Sequence, residues 1–143
     1  IIIRILLSMV IMKWSDDLSV QITEIDQQHQ KLIGLINTLH EAMLQKQTKQ
    51  VISKTIDELA AYTVYHFQNE ENYLEQFKYP GLMVHRREHE AFVTKVNAFQ
   101  KDYEAGKLGL SMEIMSFLQE WVTNHIKGTD KKYVETFHKN GIR

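Results

Sequence analysis

Apolar residues recur at helical spacing along most of this chain. After an irregular leader over residues 16–23, Ile25, Leu32, Ile33, Ile36, Leu39 and Met43 keep a period near 3.6 residues. Ile52, Ile56, Leu59, Thr63, Tyr73, Leu74 and Phe77 mark one face of a second helix. Phe92, Val96, Phe99 and Tyr103 form an alternating seam in a third, and Ile114, Leu118 and Trp121 line a fourth. The pattern breaks at the polar stretch 45–50, at Tyr79-Pro80-Gly81 and at residues 105–110 with their two glycines. Proline disfavours helical geometry in the residue before it, and glycine frees the turn. Ser111 is placed to cap the fourth helix, with Glu113 in its first turn, and residues 131–138 read as a short helical tail. Short connections force neighbouring helices to run in opposite directions. The expected fold is therefore all-α: an antiparallel up-down-up-down four-helix bundle with an irregular N-terminal leader and a short C-terminal helical tail.

Seven polar side chains interrupt the apolar stripes without leaving them. His29 lies one turn from Ile25 and from Leu32 and Ile33, so it takes a core position. His66 and Glu70 are four residues apart and in register with Leu59 and Thr63. His85 and His89, also four apart, continue the Phe92 seam backwards, and His125 follows Trp121 by one turn. Asp130 departs from this spacing. Five residues beyond His125, an undistorted helix would place it ~140° around the axis; Gly128 is expected to loosen the helix and let the carboxylate swing inward. Depth supplies an independent test. His29, His85 and His89 sit near the starts of helices one and three, and His66, Glu70 and His125 towards the ends of two and four. In an antiparallel bundle these meet at one end. His40 lies ~16 Å along the axis from His29 and is too far to join; His138 belongs to the tail, and both read as structural or solvated.

Unsatisfied buried polar groups cost about 1–3 kcal/mol each, so this many require a partner. Five imidazoles and two carboxylates suit a borderline divalent transition metal, and exceed what one ion normally takes. The absence of cysteine excludes zinc–thiolate, iron–sulfur and disulfide chemistry. A net charge of −1 gives no reason to expect a nucleic-acid or acidic membrane partner. At 143 residues with 43% hydrophobic and 24% charged content, a single globular domain is expected, over residues 13–143, in the cytoplasm. Residues 1–12 stand apart. They are almost wholly apolar, too short to span a bilayer, interrupted by Arg4 and followed by no small-residue cleavage site. They read as an extension upstream of a natural start at Met9 or Met12, the alternative being a peripheral membrane anchor.

Arranged as H…HxxxE…HxxxH…HxxxxD, the seven residues resemble the di-iron ligand set of the hemerythrins, in particular the single-domain bacterial form. The resemblance runs from about Trp14 to Tyr133 and includes Ile25-Asp26-Gln27-Gln28-His29, His66-Phe67-Gln68-Asn69-Glu70 and residues 121–130. It implies two iron ions (Fe2+/Fe3+) bridged by Glu70, Asp130 and an oxo or hydroxo group. His85, His89 and His125 would fill one ion, while His29 and His66 would leave the other an open position for dioxygen. Phe67, Trp121, Val122 and Ile126 match the apolar pocket around that position. The implied function is reversible dioxygen binding for storage, buffering or transport by a monomeric, non-enzymatic protein, with an oxygen-consuming enzyme as recipient. The alternatives are an oxygen or redox sensor and a di-iron oxidase or peroxidase-like enzyme. The enzyme would call for the carboxylate-rich Glu-x-x-His pairs of ferritin-like centres, which the four helices expected to form the bundle lack.

Overall fold

The computed structural model describes residues 10–107 and 109–143. Four long helices, α1 (Thr23–Leu44), α2 (Lys49–Gln76), α3 (Leu82–Glu104) and α4 (Leu110–Asn124), pack in cyclic order, each against the next and α4 back against α1. A five-residue π turn (His125–Thr129) and a 3-10 turn (Asp130–Tyr133) lead from α4 into a short helix, α5 (Val134–Lys139). The four-helix bundle is the architecture the apolar periodicity predicts. Its core runs the length of the bundle and includes Ile25, Ile36, Leu39, Ile56, Leu59, Leu74, Phe92, Val96 and Leu118.

Local chemistry sets the ends of the helices. Thr48 caps α2, its hydroxyl accepting the Val51 N–H at 3.2 Å. After α2 the chain reverses through a left-handed Lys78 (φ 54°), and the Tyr79 N–H donates back to the Leu74 carbonyl at 2.9 Å. Helix α4 starts differently from the sequence expectation. Gly109, at φ 78°, turns the chain into the helix and takes the cap position, so Ser111 lies inside the first turn. A left-handed entry is cheap for glycine, so the helix begins before the serine is reached.

Side-chain hydrogen bonds fasten the leader and the residues just before it. The Asp26 carboxylate accepts from the Ser19 hydroxyl and the Val20 N–H. Asn37 pairs with the backbone of Ile11 and Met12, and the Met12 side chain is buried in the core. The first nine residues of the apolar N-terminal stretch lie outside the described residues. No described helix is long and apolar enough to cross a membrane. His138 donates from Nε2 to the Gln21 carbonyl at 2.8 Å, tying α5 to the leader.

Candidate metal centre

All seven polar residues singled out in the sequence are buried and converge at one end of the bundle. α1 contributes His29, α2 His66 and Glu70, α3 His85 and His89, and the π turn His125, with Asp130 just beyond it. The π turn resolves the spacing anomaly. Asp130 donates its N–H to the His125 carbonyl, an i to i+5 bond that widens the turn and brings the fifth residue back over the first. Gly128 is not left-handed, and the space where its Cβ would stand is open. The inward swing therefore comes from the five-residue turn, not from a backbone state reserved for glycine.

Each carboxylate divides its two oxygens between two sets of imidazoles. Glu70 Oε2 faces His29 Nε2 (3.5 Å) and His66 Nε2 (3.4 Å), while Oε1 faces His85 Nε2 (3.1 Å) and His89 Nε2 (3.2 Å). Asp130 Oδ2 faces His29 Nε2 (3.1 Å), and Oδ1 faces His85 Nε2 (3.1 Å) and His125 Nε2 (3.0 Å). His89 and His125 bring their Nε2 atoms within 3.1 Å of one another.

Hydrogen bonding alone leaves this arrangement unsatisfied. Both ring nitrogens of His29, both oxygens of Asp130, and Nδ1 of His85 and His125 are buried without a hydrogen-bond partner. Donor atoms bound at ~2.1 Å and at right angles around one ion stand ~3.0 Å apart, close to the separations seen here. The atoms are therefore disposed around common points, and the donor set fits two divalent cations. The first group is His85, His89, His125, Glu70 and Asp130; the second is His29, His66 and Glu70, with Asp130 Oδ2 beside His29.

Outside the cluster, Gln28 Oε1 accepts from His66 Nδ1 at 2.7 Å, and Glu71 Oε2 from His89 Nδ1 at 2.9 Å. Tyr133, fully buried, donates its hydroxyl to Glu70 Oε2 at 2.7 Å. These three were not singled out in the sequence. The only sequence signal for Gln28 and Glu71 is that each adjoins a cluster residue, and Tyr133 is a polar aromatic one turn past Asp130. Around the imidazoles, Phe67 stacks on His89 at 3.8 Å and Trp121 on His125 at 4.3 Å, with Val122 and Ile126 buried nearby in the core. Phe92 joins this box, 5.5 Å from Phe67 and 4.6 Å from Trp121.

Electrostatics follow from this packing. Burial depresses the His29 and His85 imidazoles, but the Asp130 and Glu70 carboxylates outweigh it and raise them to about 9 and about 10. Burial dominates at His66, which falls to about 4. Glu70 and Asp130 resist the upward push of burial and lie well below the usual carboxylate range because imidazoles surround them. Tyr133 is raised well above its ordinary value by burial and by both carboxylates, so it remains a donor. Metal ligation requires neutral imidazoles. The protons that His29 and His85 hold below about 9 and about 10 must leave on loading. Calorimetry of ferrous loading in two buffers of different ionisation enthalpy should show proton release at pH 7, with apparent affinity rising as pH rises. Loading without proton release would contradict the charge assignment.

Fold and site together define a helical-bundle protein with a buried histidine–carboxylate centre for cations. The Hemerythrin HHE cation binding domain matches residues 20–137, and the chain belongs to the hemerythrin family. It is 37% identical over 127 residues to a bacteriohemerythrin of Stenotrophomonas maltophilia, covering 89% of this chain and 82% of the relative. A bacteriohemerythrin of Clostridium acetobutylicum is 31% identical, with 85% of this chain and 98% of that protein covered. A crystal structure of wild-type hemerythrin superposes with a TM-score of 0.82 at 28% identity, over 88% of this chain and 97% of the other.

Proposed function

We propose that this chain is a non-enzymatic protein that holds two iron ions and binds dioxygen reversibly, serving to store, buffer or carry it. The observation carrying this reading is the unequal division of donors around two shared carboxylates. His85, His89 and His125 share Glu70 Oε1 and Asp130 Oδ1, whereas only His29 and His66 share Glu70 Oε2 and Asp130 Oδ2. The two-histidine side has one imidazole fewer and is the place for an exogenous small ligand. An iron pair with an oxo or hydroxo bridge would supply the reversible electron transfer that dioxygen binding needs.

The protein's own contribution is positioning and exclusion of water. Gln28 and Glu71 fix the tautomers of His66 and His89 so that Nε2 faces the centre. Tyr133 holds Glu70 Oε2. Phe67, Trp121, Val122 and Ile126 line the apolar box that limits access of water and protons to the bound gas. The function fits a cytoplasmic monomer that delivers dioxygen to an oxygen-consuming enzyme.

An optical spectrum of the anaerobic, ferrous-loaded protein tests the proposal, recorded before oxygen, after oxygen and after its removal. Visible charge-transfer bands should appear with oxygen and vanish on deoxygenation. Persistent bands would mean irreversible oxidation and favour a redox enzyme or sensor. A protein that takes up no iron would refute the di-iron assignment altogether.

A further inference from the structure

The two imidazole groups differ in what stands behind them. In the three-histidine group, His89 Nδ1 meets the Glu71 carboxylate at 2.9 Å, His125 Nδ1 has the Glu88 carboxylate at 3.7 Å, beyond hydrogen-bond distance, and His85 Nδ1 has no hydrogen-bond partner. In the two-histidine group, His66 Nδ1 meets the neutral amide of Gln28 at 2.7 Å, and His29 Nδ1 has no hydrogen-bond partner. Both flanking carboxylates thus serve one side of the centre. Glu70 and Asp130 contribute an oxygen to each side and create no such bias.

From this asymmetry we propose that the ion on the three-histidine side is oxidised first, and that Glu71 is the main residue fixing the order. The inference rests on the di-iron reading above. A carboxylate accepting the Nδ1 proton makes Nε2 a stronger donor and places negative charge near the ion, which favours its higher oxidation state. A neutral amide does so more weakly. Glu71 is held in place by Arg86, whose Nε donates to Glu71 Oε1 at 2.9 Å and whose Nη2 donates to Glu75 at 3.2 Å. The Arg86 side chain is 40% exposed against 22% for Glu71. Water therefore screens the arginine more than the carboxylate, and the bias survives the pairing. Glu88 is engaged by the Thr129 hydroxyl at 2.9 Å and stands farther from its imidazole, so it adds less. The consequence is a resting preference. When one electron has been lost, the ferrous ion that remains is on the two-histidine side, where the small ligand is proposed to bind.

Potentiometric titration of the iron-loaded protein tests this, with ferricyanide as the one-electron oxidant and paramagnetic resonance following the mixed-valent state. Each step takes one electron from one ferrous ion and passes it to ferricyanide. Two steps are expected. Glu71→Gln should raise the first potential and leave the second nearly unchanged. The expected change is about tenfold in the ferric-to-ferrous ratio, or 59 mV for one electron. Gln28→Glu should lower the second potential by a comparable factor, an independent arm should the Glu71 variant load iron poorly. The order is overturned if Glu71→Gln moves the second step or neither, or if Gln28→Glu moves the first. Absence of iron uptake by the unaltered chain would overturn the di-iron reading and this ordering together; normal uptake with the wrong shifts overturns only the ordering.

Discussion

Glu70→Ala should empty both halves of the centre. Glu70 is shared by both donor groups and faces more imidazoles than Asp130, its oxygens lying 3.1–3.5 Å from four of them. Without it, the two-histidine side keeps two imidazoles and one Asp130 oxygen, too few anionic donors to hold a divalent ion in a dry site. Loss of an outer partner of a metal ligand costs ~10–100-fold in affinity, and removal of a shared inner carboxylate should cost more. The metal-free protein also suffers. Five buried imidazoles would face a single buried carboxylate, and removing one partner from a buried charge pair costs about 3–5 kcal/mol. Glu70→Gln separates the two effects. It retains the volume and an acceptor for the Tyr133 hydroxyl while removing the charge. Metal analysis after gel filtration, with urea unfolding of the same samples, gives both readouts. Two retained ions in either variant would show that Glu70 does not bridge.

Stripping the metal from the unaltered protein should have the next largest effect, and chiefly on stability. An ion bound only by the folded chain stabilises it by about 4 kcal/mol when its free concentration is a thousand times the dissociation constant. The chelated protein must instead bury His29 Nε2 and both Asp130 oxygens, which face the centre, without hydrogen-bond partners. It should still fold, because the core from Ile36 and Leu39 across to Ile56, Val96 and Leu118 does not depend on the centre. The loss should be local. Hydrogen exchange should accelerate in the last turns of α2, the first turns of α3 and the π turn, with the opposite end of the bundle little changed. Identical unfolding midpoints with and without chelator would mean that metal contributes nothing to the fold.

The periodicity of apolar residues made the four helices legible, and the placement of polar residues on those stripes pointed to the centre. The outer partners of the imidazoles were hidden for one reason. Gln28, Glu71 and Glu88 each adjoin a cluster residue in sequence, and a neighbour on a helix points ~100° away. Whether that direction meets water or the next helix depends on packing, which a linear pattern does not encode. Tyr133 read only as part of the short helical tail because its reach to Glu70 depends on the turn geometry between them. The break after α2 was legible at Tyr79-Pro80-Gly81, but its left-handed residue is Lys78, not a glycine. The anomalous position of Asp130 was legible as an anomaly, but its solution was not, since a π turn has no distinctive residue code.

That π turn also relates the two shared carboxylates to each other. His66 and Glu70 span four residues of regular helix, with the imidazole and the carboxylate stacked one turn apart. His125 and Asp130 reach an equivalent stacking over five residues, because the turn between them is one residue longer. The second pair is the first with one residue added to the backbone and one methylene taken from the acid. Helix pitch and side-chain length are thus interchangeable currencies at this site: a longer turn delivers a shorter carboxylate to the same depth. A designer wishing to exchange Asp130 for glutamate would therefore do best to remove a residue from the turn at the same time, converting the segment into the His-x-x-x-Glu form that α2 already carries.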